Sequence, residues 1–204
     1  MLILAHLVIG LIVGFILYEI FHARTMIIFC ALGSVLPDLV DKPLGHIIFS
    51  SSLDNGKIFF HSLVIVLLFF IAGLIVWKYY RSFSFLIVAA GMFIHQISDM
   101  MWREPVNWYY PLLGPYQADF SPDYFWQAIR YELTSVSEWI FFAAIVVGAI
   151  VVYRNQELKK TLLDGDPRMQ QKTRRFYGGL LGVALFVLAI SVIIIYIWDP
   201  LFNY

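Results

Sequence analysis

IFFHSLVIVLLFFIAGLIVWKYY, residues 58–80, runs for 23 residues with a single histidine near its start and a single lysine near its end. A helix needs about 20 apolar residues to cross a hydrocarbon core about 30 Å thick, so this stretch reads as a transmembrane helix. Comparable apolar runs occupy residues 2–21, 83–102, 129–153 and 176–198, and a shorter one occupies 26–36. The chain of 204 residues is 61% hydrophobic and 14% charged, where a soluble domain carries about 25% charged residues. These features predict an all-α fold, a polytopic transmembrane helical bundle with five full spans, one short broken helix and a re-entrant segment. At this length the whole chain, 1–204, reads as a single membrane domain.

A formal net charge of zero argues against a nucleic-acid partner and leaves membrane lipid as the expected one. The one cysteine, Cys30, lies inside an apolar run, so no disulfide framework exists and its expected role is packing. The first run lacks the basic flank and small-residue cleavage site of a secretory signal and reads as a retained helix.

Loop charge orients the spans. Residues 154–175 hold seven of the fourteen basic residues, which marks that loop as cytoplasmic. Working back, Lys78 and Arg81 between the third and fourth spans and Arg24 between the first and second also fall inside. An integral cell-membrane protein with both termini outside follows. The second run has only 13 residues from Arg24 to Pro37, roughly 20 Å of helix, and Pro37 is expected to end it. Residues 38–55 would then climb outward as irregular or re-entrant backbone, tolerated only around protein or a water-filled pocket. Residues 103–122, rich in Trp, Tyr and Pro, suit the outer headgroup layer and could roof that pocket.

The ionisable residues of the spans gather at that outer face. His6 lies near the outer end of the first span, Asp38 and Asp41 follow the short second run, and His61 opens the third. His95 and Asp99 lie seven and three residues from Trp102 at the outer end of the fourth, about 10 and 5 Å in helix. Their i, i+4 spacing puts both on one helical face. A carboxylate in hydrocarbon costs about 2.5–3.5 kcal/mol on insertion scales, so several together call for a compensating partner. A divalent metal is one, bound by imidazole and carboxylate, with zinc preferred and manganese or magnesium as alternatives. His6, Asp38, His61, His95 and Asp99 are the candidate ligands for one or two ions. Asp41 and Glu138 are the candidate catalytic residues for proton transfer. Arg103, Arg130 and His46, placed toward the outer surface, are candidate substrate contacts.

The run Gly33-Ser34-Val35-Leu36-Pro37-Asp38-Leu39-Val40-Asp41-Lys42-Pro43, then Phe60-His61-Ser62, then His95 with Asp99, Trp102 and Tyr110-Pro111-Leu112-Leu113-Gly114-Pro115, resembles the membrane-bound metal-dependent hydrolase family, also labelled LexA-binding and inner-membrane-associated. His6 matches that family's early histidine, and the resemblance covers residues 1–115. The order of ligand types is also similar to that of zinc-dependent phospholipases C. That likeness implies metal binding by Asp38, His61, His95 and Asp99, with Asp99 bridging to a second ion at His6. No later histidine pair completes a trinuclear set, so one or two ions are expected.

The reading at this level is a membrane-embedded metal-dependent hydrolase acting on a lipid-like ester or phosphoester at the outer membrane interface. The alternatives are a metal ion or proton transporter, or an inactive metal-binding scaffold. A transporter needs polar groups through both halves of the membrane, whereas residues 67–76 and 85–90 are wholly apolar.

Overall fold

The computed structural model describes residues 3–116, 118 and 124–155, and among them the secondary structure is entirely helical. The helices are α1 (Ile3–Phe21), α2 (Thr25–Pro43), α3 (Leu63–Tyr80), α4 (Ser84–Ser98), the short α5 (Pro105–Trp108), α6 (Tyr124–Thr134) and α7 (Val136–Arg154). The chain divides at Ser135 into two compact units, the first ending at Thr134.

Pro37 does not end its helix. α2 runs 19 residues through Pro37 to Pro43 and passes into a wider π-helical turn, Leu44–Ile48. The expected short helix and long irregular climb are therefore corrected. A helix-interior proline costs about 3 kcal/mol, and two features offset it here. α2 packs against both α1 and α4, so its helical geometry is held from two sides. After Pro43, which has no N–H to give the ladder, the wider turn takes up the misfit, with Phe49 N–H donating to the Leu44 carbonyl at 2.8 Å.

The approach of α2 to its neighbours depends on small residues. A Cβ on Gly33 would lie 2.3 Å from the Val88 carbonyl oxygen of α4, and one on Gly91 would lie 2.5 Å from the Cys30 carbonyl oxygen. Gly10 and Gly14 do the same service for α1 against Ser34 and Ile27. Such contacts replace the hydrophobic drive that helices lack in lipid. Met26, Cys30 and Ile87 form the apolar core, with Val13, Leu17 and Ile94 around it. Cys30 is a buried free thiol, as its expected packing role requires.

Among the described residues two helices, α1 and α3, are long and apolar enough to cross a membrane, fewer than the five full spans expected. α4 has 15 residues and stops at Ser98, short of Trp102. Met100 adopts a left-handed conformation (φ 54°) and turns the chain away, burying Met101 completely. The fifth expected span is divided at Ser135, whose backbone is extended (ψ 120°), and the sixth lies outside the described residues, as does most of the basic loop. In α3 the most apolar window is only 11% buried, against 39% in α1. Leu67, Leu68, Ile71 and Ile75 point outward, so α3 presents the kind of apolar surface that lipid covers.

Candidate metal centre

Four side chains from three parts of the first unit converge at the end of the bundle away from the apolar core. Asp38 comes from α2 just after Pro37, and His61 from the turn preceding α3. His95 comes from the last turn of α4, and Asp99 caps that helix. The side chains are between 0% and 3% exposed. One ligand atom from each lies within 4.8 Å of the other three. The two Nε2 atoms of His61 and His95 are 3.0 Å apart. His61 Nε2 is 3.7 Å from Asp38 Oδ1 and 3.7 Å from Asp99 Oδ2, and His95 Nε2 is 3.9 and 3.7 Å from the same oxygens. Metal–ligand bonds of 2.0–2.1 Å in a tetrahedron give edges of about 3.3 Å, inside that range.

The far nitrogens of the rings decide what faces inward. His95 Nδ1 lies 2.7 Å from the Ser34 carbonyl, which can only accept, so Nδ1 carries the proton. His61 Nδ1 lies 2.8 Å from Asp41 Oδ2 and donates to that carboxylate. With both rings neutral, the two Nε2 atoms turn lone pairs toward each other and toward two carboxylate oxygens, an arrangement that repels itself unless a proton or a cation sits at its centre. Asp38, Asp41 and Asp99 bring three negative charges, and Lys42 Nζ, 3.1 Å from Asp38 Oδ2, brings one positive. A single proton would leave the group at −1, whereas a divalent cation brings it to neutrality. The donor set thus fits a metal ion.

Asp41 is wholly taken up in holding His61. Its Oδ2 accepts from the backbone N–H groups of Ile58 (3.2 Å) and His61 (2.9 Å) as well as from the ring, and its Oδ1 accepts from Phe60 N–H (3.0 Å). Asp41, a candidate for proton transfer, winds the 58–61 turn around itself and orients the ring. His6 was expected among the ligands. It lies beside the four atoms, its Nε2 3.0 Å from Asp99 Oδ1 and its ring tilted over His95 at 3.9 Å.

The remaining candidates are His46, Arg103, Arg130 and Glu138. His46 sits in the π-helical turn with Nδ1 2.9 Å from Asp54 Oδ1. Its other face is against Gly56, where a Cβ would come within 2.6 Å of Nε2. Arg103 and Arg130 are exposed. Glu138 is in the first turn of α7, in the second unit. Over the 58–61 turn lies the aromatic segment, with Tyr116 stacked on Tyr110 at 3.8 Å and edge-on to Phe59 at 5.4 Å. Burial, then the neighbouring Tyr110 and Asp41, raises the Tyr116 phenol above its usual range, so it stays protonated. Sequence reasoning missed Ser34, Lys42 and Gln96. Lys42 and Gln96 had a signal, since each adjoins or lies one turn from a ligand in an otherwise apolar run. The carbonyl of Ser34 had none.

A family model described as YdjM inner membrane protein matches residues 1–200. The chain belongs to the YdjM inner membrane protein family. This is the family that the motifs of residues 1–115 resemble, and the match extends the likeness over nearly the whole chain. No curated protein and no solved structure matches it significantly. Membership accounts for the outward apolar face of α3 and for glycine packing in place of a large apolar core.

Proposed function

We propose that the protein is a membrane-embedded metal-dependent hydrolase of a lipid-like phosphoester, with the ion held by Asp38, His61, His95 and Asp99. The observation that carries this reading is the convergence of four ligand atoms within 4.8 Å, with the two Nε2 atoms 3.0 Å apart and an acceptor behind each Nδ1. Zinc suits two imidazoles and two carboxylates, with manganese or magnesium as alternatives. Four protein atoms complete a tetrahedron, so hydrolysis needs a further position. Expansion to five ligands would supply it.

When bound, a divalent ion polarises the scissile ester and brings the pKa of water toward about 7. The protein's own residues do the rest. Ser34 and Asp41 keep His95 and His61 in the ligating tautomer. Lys42, half-buried beside Asp38, adds the cation that favours an anionic phosphoester over a neutral ester. Asp99 Oδ2 faces the four-atom site while Oδ1 lies 3.0 Å from His6 Nε2, so Asp99 and His6 would hold a second ion if one binds. Arg103 and Arg130, exposed, would meet the headgroup. Loop charge puts the site on the extracytoplasmic side.

The test is metal analysis of the purified protein, wild type against His95→Ala and Asp99→Ala, followed by a screen of lipid phosphoesters. One or two equivalents of zinc in the wild type and loss in both variants is the expected result. Equal metal content in all three would overturn the site. Bound metal with no turnover of any ester, and no metal-driven flux in liposomes, would favour an inactive metal-binding scaffold.

A further inference from the structure

Gln96 directly follows His95 on α4 and is completely buried. Its amide makes three hydrogen bonds. Nε2 donates to the Phe60 carbonyl at 3.1 Å and to the Ser62 carbonyl at 3.1 Å, and Oε1 accepts from Trp108 Nε1 at 2.9 Å. Only one orientation of the amide serves, since two carbonyls can only accept and an indole N–H can only donate. Phe60 and Ser62 flank His61 on either side. The backbone of that ligand is thus gripped twice, by Asp41 accepting its N–H at 2.9 Å and by Gln96 holding the carbonyls before and after it. Ser62 also caps α3, its hydroxyl accepting from Ile65 N–H at 3.4 Å, so Gln96 ties the start of α3 to the end of α4 at the depth of the site.

Trp108 adds a second link. It ends α5 and begins the aromatic segment that lies over the 58–61 turn. Through one amide, the position of that segment bears on the backbone of His61.

We propose that Gln96 is a positioning residue for metal binding, holding His61 at ligating geometry, and that Trp108 acts through it, so that the aromatic segment over the site tunes metal affinity. This rests on the metal-centre reading above. The outer partners of metal ligands typically change affinity by about 10–100-fold when removed, and a buried amide with all three bonds made has little freedom to compensate.

The test uses the full chain in detergent and zinc alone as the probe, in competition with a chromogenic chelator, alongside thermal unfolding of the metal-free protein. Gln96→Met keeps the volume and removes every hydrogen bond; Trp108→Phe keeps an aromatic ring and removes the N–H. Gln96→Met should weaken zinc binding roughly 10–100-fold and Trp108→Phe by less. The double variant should bind no more weakly than Gln96→Met, because both act along one path. A purely structural Gln96 would lower the unfolding temperature and leave the zinc affinity of the folded protein within about twofold, overturning the proposal, as would additive effects of the two substitutions. If Gln96→Met does not fold, Trp108→Phe decides alone, and unchanged zinc affinity in it overturns the link. Zinc bound by wild type but equally by the variants refutes only the role of Gln96; a wild type that binds no zinc refutes the metal centre itself.

Discussion

Asp41→Asn is the sharpest perturbation of the centre, because it changes one oxygen to an NH2 group and leaves the volume intact. The carboxylate accepts four hydrogen bonds, three at Oδ2 and one at Oδ1. An asparagine turned with its oxygen toward Ile58, His61 and the ring keeps three of them. It then points its NH2 at Phe60 N–H, leaving that donor unpaired at a cost of about 1–3 kcal/mol. The opposite turn leaves three donors facing an NH2 and costs more. Losing the carboxylate behind His61 also makes the ring a poorer ligand, by roughly 10–100-fold in metal affinity. Thermal unfolding of the purified protein in detergent should therefore show destabilisation, and zinc competition should show weakened binding in the folded fraction. Unchanged zinc affinity in Asp41→Asn would refute the reasoning that Asp41 serves the centre by orienting His61. Asp41→Ala, which orphans four donors at once, should be worse in both measurements.

Three further outcomes follow from the packing, the charge balance and the topology. Gly33→Ala would put a Cβ 2.3 Å from the Val88 carbonyl and should destabilise the bundle by about 1–3 kcal/mol as α2 and α4 are forced apart; an unfolding temperature equal to wild type would refute the close approach. Lys42→Ala should keep its zinc yet bind inorganic phosphate at least about tenfold more weakly, ~1.4 kcal/mol, by losing a charge-assisted contact. Lys42→Arg should retain most of the phosphate affinity, and equal phosphate affinity in Lys42→Ala would remove the argument for an anionic substrate. With Cys30 replaced by Ser, a cysteine at Leu112, which is 78% exposed, should react with an impermeant maleimide from the extracytoplasmic side of intact cells. Reaction only after permeabilisation would reverse the proposed orientation.

Much of the site was legible in the sequence because ionisable groups inside apolar runs are costly and therefore conspicuous. Asp38, His61, His95 and Asp99 stand out that way, and among the described residues they are the four that the fold brings within 4.8 Å. His6 stands out on the same ground, but whether it joins the four or stands behind Asp99 depends on a few ångströms of packing that no spacing rule contains. The role of Asp41 was not legible because its partners are mostly backbone N–H groups of a turn 17–20 residues away. The same holds for Ser34, whose contribution is a carbonyl that any residue carries.

Sequence alone determined that this chain is helical, that its surroundings are lipid, and which acids and histidines must be compensated, because hydrophobicity and charge are properties of residues. Tertiary structure decided that α2 continues through Pro37, since proline's local cost is outweighed only when helices pack on both sides. It also decided that His61 and His95 turn Nε2 inward, since a ring's tautomer is set by what its other nitrogen touches. Those partners, the Ser34 carbonyl and the Asp41 carboxylate, meet the rings only when helices distant in sequence come together.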